Sequence, residues 1–347
     1  MRFARERDSR GAIKAAPHAV TAQRWGIIGA GSISRTVVAD LQTCQGAEVV
    51  AIQSRDADKA ASFAEEFGIS VSTGSLEELL ADASIDAVYI ATPFATHHAM
   101  ARQALVARKH VLVEKPMAMN ASEVEDLFAL AAEQERFLME AMWMKFNPAF
   151  RRLHAEMAAG RIGTPRSVRA SFGIPQPADM ESRWDVTRSG GSLLDQGIYP
   201  VTLAYSVFGT PVSIHAAGEI RDDGLDLAEH FTLEFGDGRF AQCASSMNTF
   251  YDLSAAVSGT AGWIGMPEPF WARTTLRLHV DNMQTIFQEP VLVEYEQEGN
   301  GYVPMLREVI EAIGEGEIQH SVHPASDTIA VFRILDGIRA QLGASRS

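Results

Sequence analysis

The 347-residue chain is predicted to fold as a doubly wound parallel α/β domain followed by an α+β domain with a large, mostly antiparallel open sheet. Three observations predict this. Up to Phe146, short apolar runs alternate with amphipathic stretches of roughly 10–15 residues, the pattern of strand–helix–strand units in a parallel sheet. Beyond Phe146 the apolar period changes to two, as in strands with one solvated face. The length also exceeds what one core ordinarily serves.

The elements follow in order. Residues 1–23 carry Arg2, Arg5, Arg7, Arg10 and Lys14 against Glu6 and Asp8. With no apolar h-region they do not read as a secretory signal, and a disordered or arm-like tail is expected. The first domain is expected over 24–143. Trp25 to Ile28 reads as a strand, "GAGSIS" as a turn, and "RTVVADLQ" as a helix. "AEVVAIQSR" is a second strand, and "DADKAASFAEEFG" a helix closed by Gly68. Ser75 and Glu78 form a capping-box pattern. "IDAVYIAT" is apolar almost throughout, as a strand covered on both faces should be. "THHAMARQALVARK" is helical, "HVLVEKP" a strand, and Ala121 to Arg136 a helix. The second domain is expected over 144–347. "PAFRRLHAEMAAG" is a helix, "RSVRASFGI" a strand, and "HFTLEFGDGRFAQCASSMN" two strands joined at Asp237-Gly238. Further strands follow in "GTAGWIGMPEPFWARTTLRLHV" and "VLVEYEQ". Helices around Val303 to Ile313 and Ala325 to Leu342 close the chain, and one sheet face has no evident helical cover.

A net charge of −14 without a basic run argues against nucleic acid and anionic membranes as partners. No apolar stretch approaches the ~20 residues of a membrane span. Cys44 and Cys243 match no metal spacing and are too few for a disulfide framework, so buried thiols in a reducing, cytoplasmic setting are expected. No metal-ligand cluster is evident among the ten histidines.

Gly29, Gly31 and Ser34 occupy the three glycine positions of G-x-G-x-x-G, after a strand and opening a helix. Gly29 allows the turn, Gly31 lets a pyrophosphate approach the backbone, and Ser34 permits close packing. Ser32 and Ile33 begin the helix whose free N–H groups face the phosphates. At the end of the second strand, where an NAD site usually places a carboxylate, stand Ser54 and Arg55. Both suit a 2′-phosphate, so NADP is expected over NAD. The alternative makes Arg55 a solvated charge and Asp56 the ribose ligand.

The strand His110 to Val113 ends in Glu114, Lys115 and Pro116. Charged groups at a core strand's end are either a solvated pair or part of a site. In an open parallel sheet ligands bind beyond the carboxyl ends of strands. Thr92 and Pro93 lie at a similar end. The nicotinamide is therefore expected near these two loops, with Lys115 on a substrate hydroxyl and Glu114 on the cofactor ribose or the lysine. A cis bond at Pro116 suits such a turn.

With "GAGSIS", "TPFATHH", "VEKP" and "GGSLLDQGIYP" in this order, the chain resembles the Gfo/Idh/MocA oxidoreductase family over nearly all residues after Arg24. "LMEAMWMKFNPAF" and the D-x-G-x-Y element look most like its branch of dimeric dihydrodiol and NADP-dependent aldose dehydrogenases. The resemblance implies a Rossmann domain and an open-sheet domain used for homodimer or homotetramer contacts. It further implies Lys115 at the reacting oxygen, Tyr199 as general acid/base, Asp195 orienting the site, and His97 beneath the cofactor. The substrate implied is an aldose or trans-dihydrodiol, oxidised at a secondary alcohol or hemiacetal carbon. Lys145 is a candidate substrate contact that stands where the branch commonly has arginine, and lysine lacks arginine's bidentate fork. Trp143 and Trp184 are candidate substrate contacts and Trp271 a third, with a core role the alternative for each. An ammonium near Tyr199 is expected to lower its pKa from about 10. A glycoside hydrolase using transient oxidation, or a non-catalytic ligand sensor, are the competing classes.

Overall fold

The computed structural model describes residues 22–280 and 288–344. The expected 1–23 tail lies outside them but for its last two positions, and Gln23 is not tail. It opens the first strand, and its buried side chain donates to Ile310 O at 2.7 Å.

Strands β1 (Gln23–Ile28), β2 (Ala47–Gln53), β3 (Val71–Thr73), β4 (Ala87–Ile90), β5 (His110–Val113) and β6 (Leu138–Glu140) pair in parallel in the order β3-β2-β1-β4-β5-β6. Helices α1 (Ser32–Leu41), α2 (Ala57–Phe67), α3 (Leu76–Ala81), α4 (His97–Val106) and α5 (Ala121–Gln134) belong to this half. Every residue of β4 is buried, which is why its sequence shows no polar alternation. Asp56 caps α2 by accepting from Lys59 N–H, and Gly68 ends it at φ +67°. The capping box of α3 is half formed. Ser75 accepts from Glu78 N–H, but Glu78 takes the Thr73 hydroxyl while Ser75 N–H donates to Thr73 Oγ1. Strand order reverses between β1 and β4, so a crevice opens at their carboxyl ends.

The second half adds α6 (Pro148–Ala158), β7 (Pro165–Gly173), α7 (Glu181–Trp184), α8 (Ile198–Phe208), β8 (Ser213–Ile220), β9 (Asp226–Glu234), β10 (Phe240–Ser246), β11 (Ala255–Gly259), β12 (Gly262–Met266), β13 (Thr275–Val280), β14 (Val291–Glu294), α9 (Val303–Gly314) and α10 (Ala325–Ala344). The sheet order is β14-β13-β12-β11-β7-β10-β9-β8. Among the described strands of this sheet only β7 and β10 pair in parallel. Helices α8 and α10 cover one face, burying Val168, Ala170, Ala241 and Cys243. Arg169, Ser171, Thr232 and Gln242 line the opposite, open face. The edge strand β8 escapes sequence reading because "SIHAAGEI" is small-residue-rich and lies largely at the surface. Edge strands of this kind carry little apolar signal.

Pro200 lies in the first turn of α8. A π turn, Leu193–Gly197, runs directly into α8. In that geometry the N–H of residue 200 would return to Asp195 O, and proline has none. The freed carbonyl instead accepts from Lys115 Nζ at 2.7 Å.

Candidate active site

The crevice divides into two adjoining cavities of about 470 and 320 Å³ that share Ser32, Ile33, Thr92 and Phe94. The glycine loop floors the first. Gly29 stands at φ +105°, and a Cβ there would lie 2.4 Å from Ala91 O, so its glycine is demanded by the protein. Gly31 is different. Its φ is −85° and nothing lies within 4 Å of where a Cβ would sit. Neither backbone nor packing requires glycine there, whereas a phosphate resting on the α1 N-terminus does. Ser34 is fully buried and donates to Gly29 O at 2.6 Å, closing the loop.

Ser54, Arg55 and Lys59 line the same cavity at the end of β2. Asp56 is committed to the α2 cap. Arg55 is exposed. On the opposite side, Thr92 and Pro93 line the cavity. His97 is buried, with Nε2 2.8 Å from Thr92 O and Nδ1 2.7 Å from Pro116 O. It ties the β4 loop to the β5 loop across the crevice, and burial pushes its pKa down. The Lys115–Pro116 bond is cis.

The second cavity holds the charged end of β5. Glu114 is buried and accepts from Tyr89 Oη at 2.5 Å and from Lys115 N–H at 3.0 Å. Burial raises its pKa to about 6, against the lowering effects of these donors and of the Lys115 charge. Lys115 Nζ donates to Asp195 O at 2.7 Å and Asp195 Oδ1 at 2.9 Å. It lies 5.1 Å from the Tyr199 ring centre. Burial drives the Asp195 carboxyl up, but Lys115 and Arg183 outweigh it and hold the group below its ordinary value. An Arg183 guanidinium nitrogen lies 2.9 Å from Asp195 Oδ2. Tyr199 is buried, with its hydroxyl accepting from Trp143 Nε1 at 2.9 Å. Asp195 and Tyr199 thus both lie beside Lys115.

Four expectations need correction. The Tyr199 phenol is not lowered: burial and then the Glu114 charge raise it well above 10, the Trp143 hydrogen bond offsets only part, and the Lys115 charge is compensated by Asp195. Lys145 does not reach this cavity. Two residues along the turn from Trp143, it points to the other side, pairs with Asp327 at 2.7 Å and faces His154 and Tyr205 in a separate hollow. Trp184 lines neither cavity, and its indole donates to Pro177 O at 2.9 Å. Trp271 stacks on Phe172 at 3.6 Å and tilts against Tyr199 at 5.7 Å, a packing role behind the phenol.

Phe94, Arg183 and Tyr302 line the site without having been singled out. Phe94 stood inside "TPFATHH". A signal for Tyr302 was the "GNGY" turn before it, where two glycines are spent within four residues. Arg183 had no local signal, since only the folded chain brings it to Asp195.

A parallel sheet in Rossmann order, a pyrophosphate-shaped glycine loop, and a lysine and a phenol at the adjoining strand end define a nicotinamide-dependent oxidoreductase. Residues 23–142 match the family described as oxidoreductase family, NAD-binding Rossmann fold. Residues 150–265 match the GFO/IDH/MocA C-terminal domain. The mouse trans-1,2-dihydrobenzene-1,2-diol dehydrogenase is 35% identical over 336 residues, covering 93% of this chain and 98% of that protein. Its human counterpart is 33% identical over 334 residues with the same coverage. Among solved structures, KijD10, a 3-ketoreductase from Actinomadura kijaniata in complex with NADP and TDP-benzene, superposes with a TM-score of 0.83 at 27% identity, covering 92% of this chain and 98% of that one. The chain belongs to the Gfo/Idh/MocA oxidoreductase family.

Proposed function

We propose that the protein is an NADP-dependent oxidoreductase acting on a secondary alcohol or hemiacetal carbon of a sugar or cyclic diol, such as an aldose or trans-dihydrodiol. The observation that carries this reading is the meeting of Lys115, Asp195 and Tyr199 at the cavity adjoining the glycine loop. Relatives that are dihydrodiol dehydrogenases and a ketoreductase bound to NADP support the substrate class and the cofactor.

An ammonium has three N–H donors. Asp195 takes two of those on Lys115, leaving one for the oxygen of the reacting carbon. Asp195 thereby holds the lysine in place and balances its charge. Tyr199, its phenol kept protonated by burial, donates a proton to a carbonyl oxygen in reduction and recovers it in oxidation. His97 holds the two loops together under this pair. Ser54 and Arg55, with Lys59 beside them, favour the 2′-phosphate of NADP, since Asp56 is engaged as a helix cap. When bound, the nicotinamide supplies or accepts the hydride.

The open face of the eight-stranded sheet is proposed as the surface on which two copies meet in a homodimer or homotetramer, and the cytoplasm as the place of action. No described helix is long and apolar enough to cross a membrane. The test is absorbance at 340 nm with NADP and a panel of aldoses and trans-dihydrodiols. NADPH formation with at least one of them is expected, and a panel without turnover in either direction overturns the assignment.

A further inference from the structure

A buried carboxylate near the C-terminus of a helix is doubly disfavoured, by desolvation and by the helix dipole. Asp40, in the last turn of α1, is such a group, 1% exposed. It is compensated by three donors from one distant turn. Asn300 N–H lies 2.8 and 3.0 Å from its two oxygens, Asn300 Nδ2 2.9 Å from Oδ1, and Tyr302 N–H 2.9 Å from Oδ2.

That turn is built for close approach on both sides. A Cβ on Gly299, at φ +55°, would lie 2.4 Å from Asp40 Oδ1, and one on Gly301, at φ +103°, 3.0 Å from the Trp143 ring. The turn delivers Tyr302 into a stack on Trp143, with ring centres 4.9 Å apart and planes 20° apart. Trp143 in turn donates to the Tyr199 hydroxyl. A continuous series of contacts therefore runs from the helix that begins at the phosphate loop to the proposed proton donor.

We propose that Asp40 is a positioning residue for the reaction: by clamping the Gly299–Tyr302 turn it sets the Tyr302–Trp143 stack and, through it, the Tyr199 hydroxyl. The inference rests on the reading of Tyr199 as proton donor and goes beyond it, since Asp40 lines neither cavity. In Asp40→Asn one oxygen becomes an amide donor facing donors, so the turn loosens without loss of side-chain volume.

The test compares Asp40→Asn, Trp143→Phe and their double variant with the parent enzyme, following kcat, KM for NADP, the pH profile of kcat and the melting temperature. Asp40→Asn is expected to lower kcat about tenfold or more, since small misplacements of reacting groups are costly, with KM for NADP within about twofold. Loss of the Trp143 hydrogen bond removes an influence that lowers the Tyr199 pKa. The tyrosine-dependent limb of the profile should therefore move to higher pH in both single variants. The double variant should be no worse than Trp143→Phe alone, because both act through one path. A lower melting temperature with kcat and the limb unchanged would overturn the proposal, as would additive losses. If Asp40→Asn does not fold, Asn300→Ala removes only the side-chain amide contact. It must shift the same limb in the same direction, and an unmoved limb overturns the proposal. Tyr199→Phe at full turnover would instead sink the reading beneath it.

Discussion

Lys115 and Lys145 invite comparison. Each is a largely buried lysine paired with an aspartate from the second half of the chain, at 2.9 Å to Asp195 and 2.7 Å to Asp327. Each had been expected to face substrate. The difference lies in what surrounds the pair. Among the described residues Lys115 gives Asp195 two hydrogen bonds, and it lines a cavity that also holds a phenol and adjoins the glycine loop. Lys145 sits beside His323, 3.4 Å from its Nδ1, and His323 Nε2 lies 3.1 Å from the buried Glu140. Glu140 accepts from Met117 N–H, so that network braces the loop after Lys115 from behind. A buried ion pair alone does not mark a site; what the cation can still reach does.

The strongest way to break the comparison is to remove each ammonium. Lys115→Met should lower kcat by about 10²–10⁴ with NADP binding largely intact, and Tyr199→Phe should do likewise, the range for a lost proton-transfer partner. Lys145→Met should keep kcat within about twofold yet cost roughly 1–3 kcal/mol of stability in urea denaturation, since it strands a partly exposed carboxylate. A Lys145→Met enzyme that melts normally but does not turn over would erase the distinction.

Glu114 sharpens the contrast through pH. Its folded pKa of about 6 exceeds the unfolded value of 4.5. Its contribution is thus present below pH 4.5 and lost as pH rises through 6, by about 2 kcal/mol. Glu114→Gln should gain on the parent by that amount between pH 4.5 and 6.5 and hold a constant difference above 7. A flat difference curve would contradict a carboxyl whose pKa burial raises beside Lys115. Arg55 provides the exposed extreme. Arg55→Ala should raise KM for NADP about tenfold and leave KM for NAD unchanged, the effect of one charge-assisted contact. Equal changes for both cofactors would remove the 2′-phosphate contact from the account.

Much of this was legible in the residues. The apolar run of β4, the Gly29–Ser34 loop and the charged end of β5 declared a parallel sheet and the mouth of its crevice. Trp143 was marked as a site residue; it lines neither cavity and meets the site through its hydrogen bond to Tyr199. Lys145 and Trp184 were not separable from it, because a short turn gives no face to read. The Tyr199 pKa was read in the wrong direction because burial and the Asp195 counter-charge are both products of folding.

By itself the sequence determined what local chemistry can specify: strand and helix periods, helix caps, a glycine loop between a strand and a helix, and a lysine at a strand's end. Tertiary structure alone decided which lysine faces the phenol, that Arg183 shares Asp195, and that Asp40 grips a turn some 260 residues away. The reason is physical. Periodicity and capping act over one or two turns of chain, whereas the desolvation and pairing of a charge depend on whatever packs around it, wherever in the chain it comes from.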